Sequence, residues 1–456
     1  MATKSLLLFA HQGRAYLALV QQALDRLGVV CLVLSSHPRD ARDLEQLKDQ
    51  MPARLWSVDD EYLAESHVAR VLEQAREEGY EVVASLATFE GYRMLMAHTN
   101  RVLQAYDADP AAVAHGMDKY LCRRSLVERG LSRSTITLLS IENIDALRTS
   151  ERKLFVKPRR GAGSFACFRL DETFNADKLH ALQQQMQDDL AFRAIFAGKF
   201  DFIVEDYIGG DEYSFEVLVV GGESYVIGVH AKYLDDSGGI VLEVGNSCPA
   251  PRLSDSQQLA GESYIAECLA ALQLSEGCYH IEARYDPGND HWDIIEINVR
   301  MGGALINQSI GVFTGGISML ELWAQALCSN TDAERASLSD ELSGLRESWR
   351  RAKGSISHGT VFFSRYGERN RILKRISTEN LPRKPDICEI PVREGSRLPN
   401  SERGIFILNA LWKVDLADIT QELNALSLML DESLVVEYAD SVRESVDHRI
   451  PDNLTA

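Results

Sequence analysis

Along the first hundred positions, apolar residues fall in short runs separated by amphipathic stretches. Residues 5–10 (SLLLFA) form a near-continuous apolar run. A turn at Gly13 follows, then an amphipathic stretch to Leu27, a stop at Gly28 and a second apolar run, VVCLVL. That is a β-α-β unit. The alternation continues through a strand at Arg54–Val58, a helix at Tyr62–Arg76, Gly79, a strand at Glu81–Ala87 and a helix from Glu90. Strands separated by helices predict a doubly wound parallel sheet covered on both faces. The first turn, AHQGRA, lacks the three spaced glycines of a dinucleotide-binding fingerprint, which weighs against NAD.

From Pro110 the pattern changes. A helical stretch through Asp118-Lys119 ends at Gly130, and strands at Lys153–Lys157 and Ser164–Phe168 flank the loop Pro158–Gly163. Further strands are expected at Phe202–Asp206, Tyr213–Val220 and Ser224–His230, with Gly-Gly punctuation between them. A helix at Ser256–Leu272 precedes strands Tyr279–Arg284 and Asp293–Arg300, joined by the turn-rich DPGNDH. Residues 331–352 are charged and helix-prone, and the remainder carries strands near Thr360–Ser364 and Gly404–Leu408. The chain therefore reads as α/β followed by α+β, with units at 1–109, 110–330 and 331–456.

Composition narrows the function. The 456 residues are 45% hydrophobic and 25% charged, enough to bury real cores and exclude a disordered or disulfide-stapled class. Lys plus Arg number 48 against 67 Asp plus Glu, and the net charge of −19 repels nucleic acid and anionic membranes. A small anion remains compatible if Lys119, Lys157, Arg159, Arg160, Arg284 and Arg300 converge on one cleft. The eight cysteines form no CxxC pair and no zinc-spaced cluster, which suits reduced thiols. The apolar start is too short for a signal or a span, so a cytoplasmic protein with no membrane partner is expected.

Three constellations could carry chemistry. In Val156-Lys157-Pro158-Arg159-Arg160-Gly161-Ala162-Gly163-Ser164 a lysine ends a strand, and a glycine-containing loop offers amides to an anion such as a polyphosphate. An ordinary basic hairpin is the plain alternative. In Glu205-Asp206-Tyr207-Ile208-Gly209-Gly210-Asp211-Glu212, a strand delivers an acid, a glycine turn follows and a second acid starts the next strand. That could set backbone against a purine edge and Glu212 near a ribose; solvated acidic turns look the same. In the third, alternation puts His280, Glu282 and Arg284 on one face, and Glu296, Asn298 and Arg300 on another, with Ile295, Ile297 and Val299 toward the core. If the two strands pair, Glu282 and Glu296 meet, which is repulsive unless a cation bridges them. An exposed antiparallel face is the alternative, and the flexible Gly302-Gly303 beside the set weighs against it.

Lys119, Lys157, Glu205…Glu212-Tyr213-Ser214, and Glu282 followed by Glu296-Ile297-Asn298-Val299-Arg300-Met301-Gly302-Gly303 together resemble the ATP-grasp superfamily over about residues 1–330. Glu90 after the fourth strand, Glu243…Pro249-Ala250-Pro251 and the separate C-terminal part look more narrowly like the L-amino acid ligases that make dipeptides. The resemblance implies an ATP-grasp fold with a doubly wound N-terminal domain and an additional C-terminal α+β domain. It further implies ATP and Mg²⁺, with Mn²⁺ as a substitute, and acyl-phosphate chemistry joining a small carboxylate to an amine in a homodimeric enzyme. By that resemblance Lys119, Lys157 and Lys232 hold the nucleotide under the loop containing Gly161, Gly163 and Ser164. Backbone after Glu205, at Tyr207 and Ile208, meets adenine, and Glu212 the ribose. Glu282, Glu296 and Asn298 carry the metal. Arg300 stabilises the reacting group, with Lys157 and Arg284 as further catalytic cations. Glu90, Glu243, Asn246, Gly302, Gly303 and Ala304 face the substrates. Asn246 stands where the dipeptide ligases have His, and Ala304 leaves room for a bulkier group. A carboxylase, a purine-pathway ligase or a non-catalytic nucleotide-binding protein are the alternatives.

Overall fold

The structure, a computed structural model, describes residues 2–190, 192–236, 239–352 and 358–439. The last stretches of the C-terminal unit, 353–357 and 440–456, lie outside the described residues. In the first unit, strand Thr3–Ala10 lies between Val30–Ser35 and Tyr80–Ala87, with Arg54–Ser57 outermost, all parallel. Leu6, Leu7 and Leu8 are fully buried because helices cover both faces of the sheet, which is why these strands read as unbroken apolar runs. Helix Leu17–Asp25 turns Leu17, Val20, Ala23 and Leu24 inward at helical spacing. One covering helix comes from far along the chain: Met319–Cys328 packs on Leu17–Asp25 and Tyr80–Ala87, burying Trp323 completely.

A small antiparallel sheet runs in the order Ile136–Leu139, Phe202–Asp206, Leu154–Pro158, Phe168–Arg169. With helix Ala176–Asp188 it encloses its own apolar core around Phe165, Phe174, Leu179, Met186 and Phe196. The strand expected at Ser164–Phe168 shrinks to Phe168–Arg169. Gly163, Ser164 and Ala166 have φ of 64°, 53° and 46°, left-handed conformations that an extended strand cannot include.

The large sheet has eight strands: His291–Asn298, Gly277–Asp286, Asp211–Val220, Glu223–Asp235, Leu242–Cys248, His358–Tyr366, Phe406–Asp415 and Ile387–Glu389. Leu242–Cys248 is polar enough (LEVGNSC) to have escaped the strand pattern, yet it joins the middle unit to the C-terminal segment. Its Gly245 is sterically required, since a Cβ there would come 2.7 Å from the Phe362 carbonyl oxygen. The C-terminal strands thus extend one continuous sheet, and among the described residues Leu373–Ser377 with Val435–Tyr438 form a separate ribbon. All eight cysteines are free thiols. Among the described residues no helix is long and apolar enough to cross a membrane.

Candidate active site

Between the small sheet and the large one lies a cavity of about 320 Å³. The small-sheet side contributes Lys157, Gly161, Gly163, Ser164, Glu205, Tyr207 and Ile208, and Lys119 enters from the start of helix Lys119–Glu128. The large sheet contributes Glu212, Lys232, Glu243, Glu282, Arg284, Glu296, Asn298 and Arg300, followed by Gly303 and Ala304. Segments spread over nearly 190 positions of sequence are therefore assembled on one cleft.

Opposite charges are interleaved there. Lys119 Nζ donates to the Gly161 carbonyl at 2.9 Å and pairs with Glu296 at 2.8 Å. Lys157 Nζ pairs with Glu205 at 2.6 Å and donates to the Ile295 carbonyl at 2.8 Å, while Glu205 also accepts from Arg123 at 3.1 Å. Lys232 Nζ lies 2.5 Å from Glu282 and 2.9 Å from Glu243. Burial opposes the Lys232 charge, but Glu243, Glu282 and Glu212 override it and hold its pKa well above the ordinary value. For Glu282, burial likewise opposes ionisation, and Lys232 with His280 hold the carboxyl well below the usual range.

The expected pairing of the two acid-bearing strands is present: Glu282 is directly opposite Glu296, and His280 opposite Asn298. Between Glu282 and Ala283 the register slips, so Ala283 faces Ile294 and Ile295 becomes the extra residue of a bulge. That overturns the inward placement of Ile295 expected from strict alternation. Ile295 lines the cavity, its carbonyl receives Lys157, and Ile294 takes the core position.

Several expected residues stand apart from the cavity wall. Arg159 is held by Asp118, both contacts from its Nε at 2.9 Å, and Arg160 is buried against the Met117 sulfur; neither lines the cleft. Of the six expected cations four therefore line the cleft, and Lys232 makes a fifth. Glu90 does not line the cavity but pairs with Arg300 at 2.9 Å. Asn246 sits behind Glu243, donating to it at 2.9 Å. Gly302 is also set back: a Cβ there would come 2.8 Å from His280 Nδ1 and 2.6 Å from Ile306, so the glycine makes space for those side chains. Arg284 bonds Glu212 at 3.0 Å and the Ile208 carbonyl at 2.5 Å, and lies over the Tyr207 ring.

Other contributors had no clear signal in the sequence. Tyr366 and Phe406, on neighbouring C-terminal strands with ring centroids 4.9 Å apart and planes tilted by 37°, form an aromatic wall of the cavity. The loop before Phe406 grips the glycine-containing turn: Ala166 N–H donates to the Glu402 carbonyl at 2.7 Å, and Gly404 N–H to the Gly163 carbonyl at 3.3 Å. Arg403 adds a 3.1 Å contact to Asp189 and lies over Phe192. His280, noted only as sharing the Glu282 face, lines the cavity and bonds both Glu282 and the buried Glu216.

Residues 151–308 match the family model of the ATP-grasp domain. The chain carries an ATP-grasp domain. The match spans the glycine-containing turn, the Glu205 strand and both acid-bearing strands. No curated protein matches the sequence. The whole fold is similar to that of the L-amino acid ligase from Bacillus licheniformis, with a TM-score of 0.74 and 19% identity over 96% of this chain and 99% of that one. It is also similar to phosphoribosylglycinamide synthetase from Anaerococcus prevotii (TM-score 0.62, 15% identity, 95% and 99% coverage). A biotin carboxylase from Campylobacter jejuni aligns with a TM-score of 0.63 at 13% identity, covering 95% and 92%. The ATP-grasp fold with its doubly wound N-terminal sheet and C-terminal α+β extension is thus established.

Proposed function

We propose that this protein is an ATP-dependent carboxylate–amine ligase that joins amino acids or similar metabolites and releases ADP and phosphate. The observation that carries the reading is the meeting of Glu282 and Glu296 across one strand pair, in the same cavity as Lys119, Lys157 and Arg300. A carboxylate resists attack by an amine because its oxygen is a poor leaving group; phosphorylation supplies a good one. The protein's task is then to position the reactants and neutralise charge.

The donor set suits Mg²⁺. Two carboxylates and the Asn298 amide oxygen are hard ligands, and two acids facing each other are costly without a cation between or beside them. Lys232 and Lys119 fill that need here. Glu282, Glu296 and Asn298 would hold the ion, which when bound supplies charge neutralisation to phosphate oxygens. Lys119, Lys157 and the amides of the Gly161–Ser164 turn bind the phosphates. Tyr207, Ile208 and the aromatic wall exclude water from the base, and Glu212, oriented by Arg284, takes the ribose. Arg300, held by Glu90, directs its charge at the reacting carboxyl group. Glu243 is the acid available to an ammonium group, with Asn246 orienting it.

The test is incubation of purified protein with ATP, Mg²⁺ and pairs of amino acids. Amide product should appear with equimolar ADP and phosphate. Formation of AMP and pyrophosphate would overturn the acyl-phosphate route, and turnover that needs bicarbonate but no amine would assign a carboxylase instead.

A further inference from the structure

From His280 at the cavity wall a chain of polar side chains that the proposed reaction does not use runs inward. Glu216 is 0% exposed, in the middle of strand Asp211–Val220. Its Oε1 receives a 2.6 Å hydrogen bond from His280 Nδ1 and a 3.2 Å bond from the Ser214 hydroxyl. The other ring nitrogen of His280, Nε2, lies 3.3 Å from Glu282 Oε1. The chain continues on the far side through His230, 3.8 Å from the same Glu216 oxygen, whose Nε2 meets Ser309, which bonds Thr360 of the C-terminal segment at 2.6 Å.

Burying an ion pair this completely adds little stability relative to apolar residues of the same volume. The position of the pair is what distinguishes it. Cross-strand register places Glu216 opposite His280 and Ser214 opposite Glu282, so the pair lies two residues along the strands from the acid, on the same face. Lys232 and His280 both bond Glu282 through Oε1, which fixes the carboxylate plane and commits that oxygen to the protein. Gly302 belongs to the same arrangement, because a side chain there would displace the His280 ring.

We propose that His280 and Glu216 are a positioning pair: buried Glu216 orients the His280 ring, and His280 holds Glu282 so that its Oε2 is presented to a divalent cation. The inference rests on the assignment of Glu282 and Glu296 as cation ligands. Glu216 fixes which imidazole nitrogen faces inward, and the imidazole fixes the rotation of the carboxylate. Carboxylates and imidazoles set behind a metal ligand act in this way and typically alter affinity ten- to a hundredfold when removed.

The experiment measures Mn²⁺ binding to the full chain with ADP, by electron paramagnetic resonance, in the wild type and in His280→Ala, His280→Gln, Glu216→Gln and Glu296→Gln. His280→Ala and Glu216→Gln should each weaken Mn²⁺ binding about tenfold or more. Metal-free ADP binding should be unchanged, and His280→Gln, which keeps a donor facing Glu282, should recover part of the loss. If Glu296→Gln weakens Mn²⁺ binding while His280→Ala and Glu216→Gln leave it intact, the positioning pair is overturned and the metal assignment stands. If Glu296→Gln also has no effect, the metal assignment falls and the pair falls with it. Should His280→Ala fail to fold, Glu216→Gln, nearly the same in volume, decides by the same readout.

Discussion

The two walls of the cleft differ in how they are held. The large-sheet wall is continuous with the C-terminal strands and shares a single core from Ala97 to Tyr438. Its charged residues are locked by mutual contacts: His280 to Glu216 and Glu282, Lys232 to Glu282 and Glu243, Arg284 to Glu212. The small-sheet wall has a separate apolar core and meets the C-terminal part through a few polar links around residues 401–404. The contrast teaches a division of labour. Under the proposed function the acids and Arg300 are fixed within one sheet, whereas the Gly161–Ser164 turn belongs to a unit with its own core, tied to the large sheet through Lys157 and the Ile295 carbonyl.

The largest expected effect breaks that comparison at the rigid wall. Glu296→Gln keeps the shape but removes one carboxylate, and it should lower kcat about a hundredfold or more, read as substrate-dependent phosphate release. Wild-type turnover in this variant would show that the opposed carboxylates are not the reactive locus. A smaller effect of a different kind is expected at the small-sheet wall. Arg403→Ala loses the Asp189 contact and the stacking on Phe192, together worth about 1 kcal/mol, so the KM for ATP should rise roughly fivefold with kcat little changed. A fall in kcat without a change in KM would erase the distinction between the walls.

The third effect concerns pH and is read on stability, not on turnover. Burial pushes the His230 imidazole down to about 4, with Glu216 only partly opposing it. Its folded pKa lies below the unfolded value near 6.5, so the folded state favours the neutral ring. Stability is therefore intact above pH 6.5 and is lost as pH falls from 6.5 toward 4, by up to about 3 kcal/mol. His230→Asn should flatten that acid limb in thermal unfolding followed across pH. Helix Ala176–Asp188, which packs on the small sheet, carries the exposed His180, and His180→Asn should leave the limb as it is. Equal flattening by both substitutions would contradict a burial origin.

Much of this was legible in the chain. Parallel strands buried on both faces announce themselves as apolar runs, so the N-terminal sheet was visible from SLLLFA and VVCLVL alone. The opposition of Glu282 and Glu296 followed from alternation and a short turn. The bulge at Ile295 did not, because one extra residue leaves the apolar pattern intact while reversing which side chain faces the cleft. Leu242–Cys248 was hidden because both faces of that strand carry polar work: Glu243 and Asn246 at the site, and Gly245 against a neighbouring backbone. Arg159 and Arg160 were drawn into the cation cluster by adjacency, but their side chains leave the loop toward Asp118 and Met117.

By itself the sequence determined the local elements and the chemical types at the site, because these depend on patterns within a few residues. Only the tertiary structure decided that the C-terminal strands complete the large sheet, that Tyr366 and Phe406 reach the cleft while Arg403 contacts Asp189 and Phe192, and that Glu216 lies behind His280. Those facts depend on strand order and register between segments up to two hundred residues apart, where burial of shared apolar surface, not local propensity, selects the neighbours.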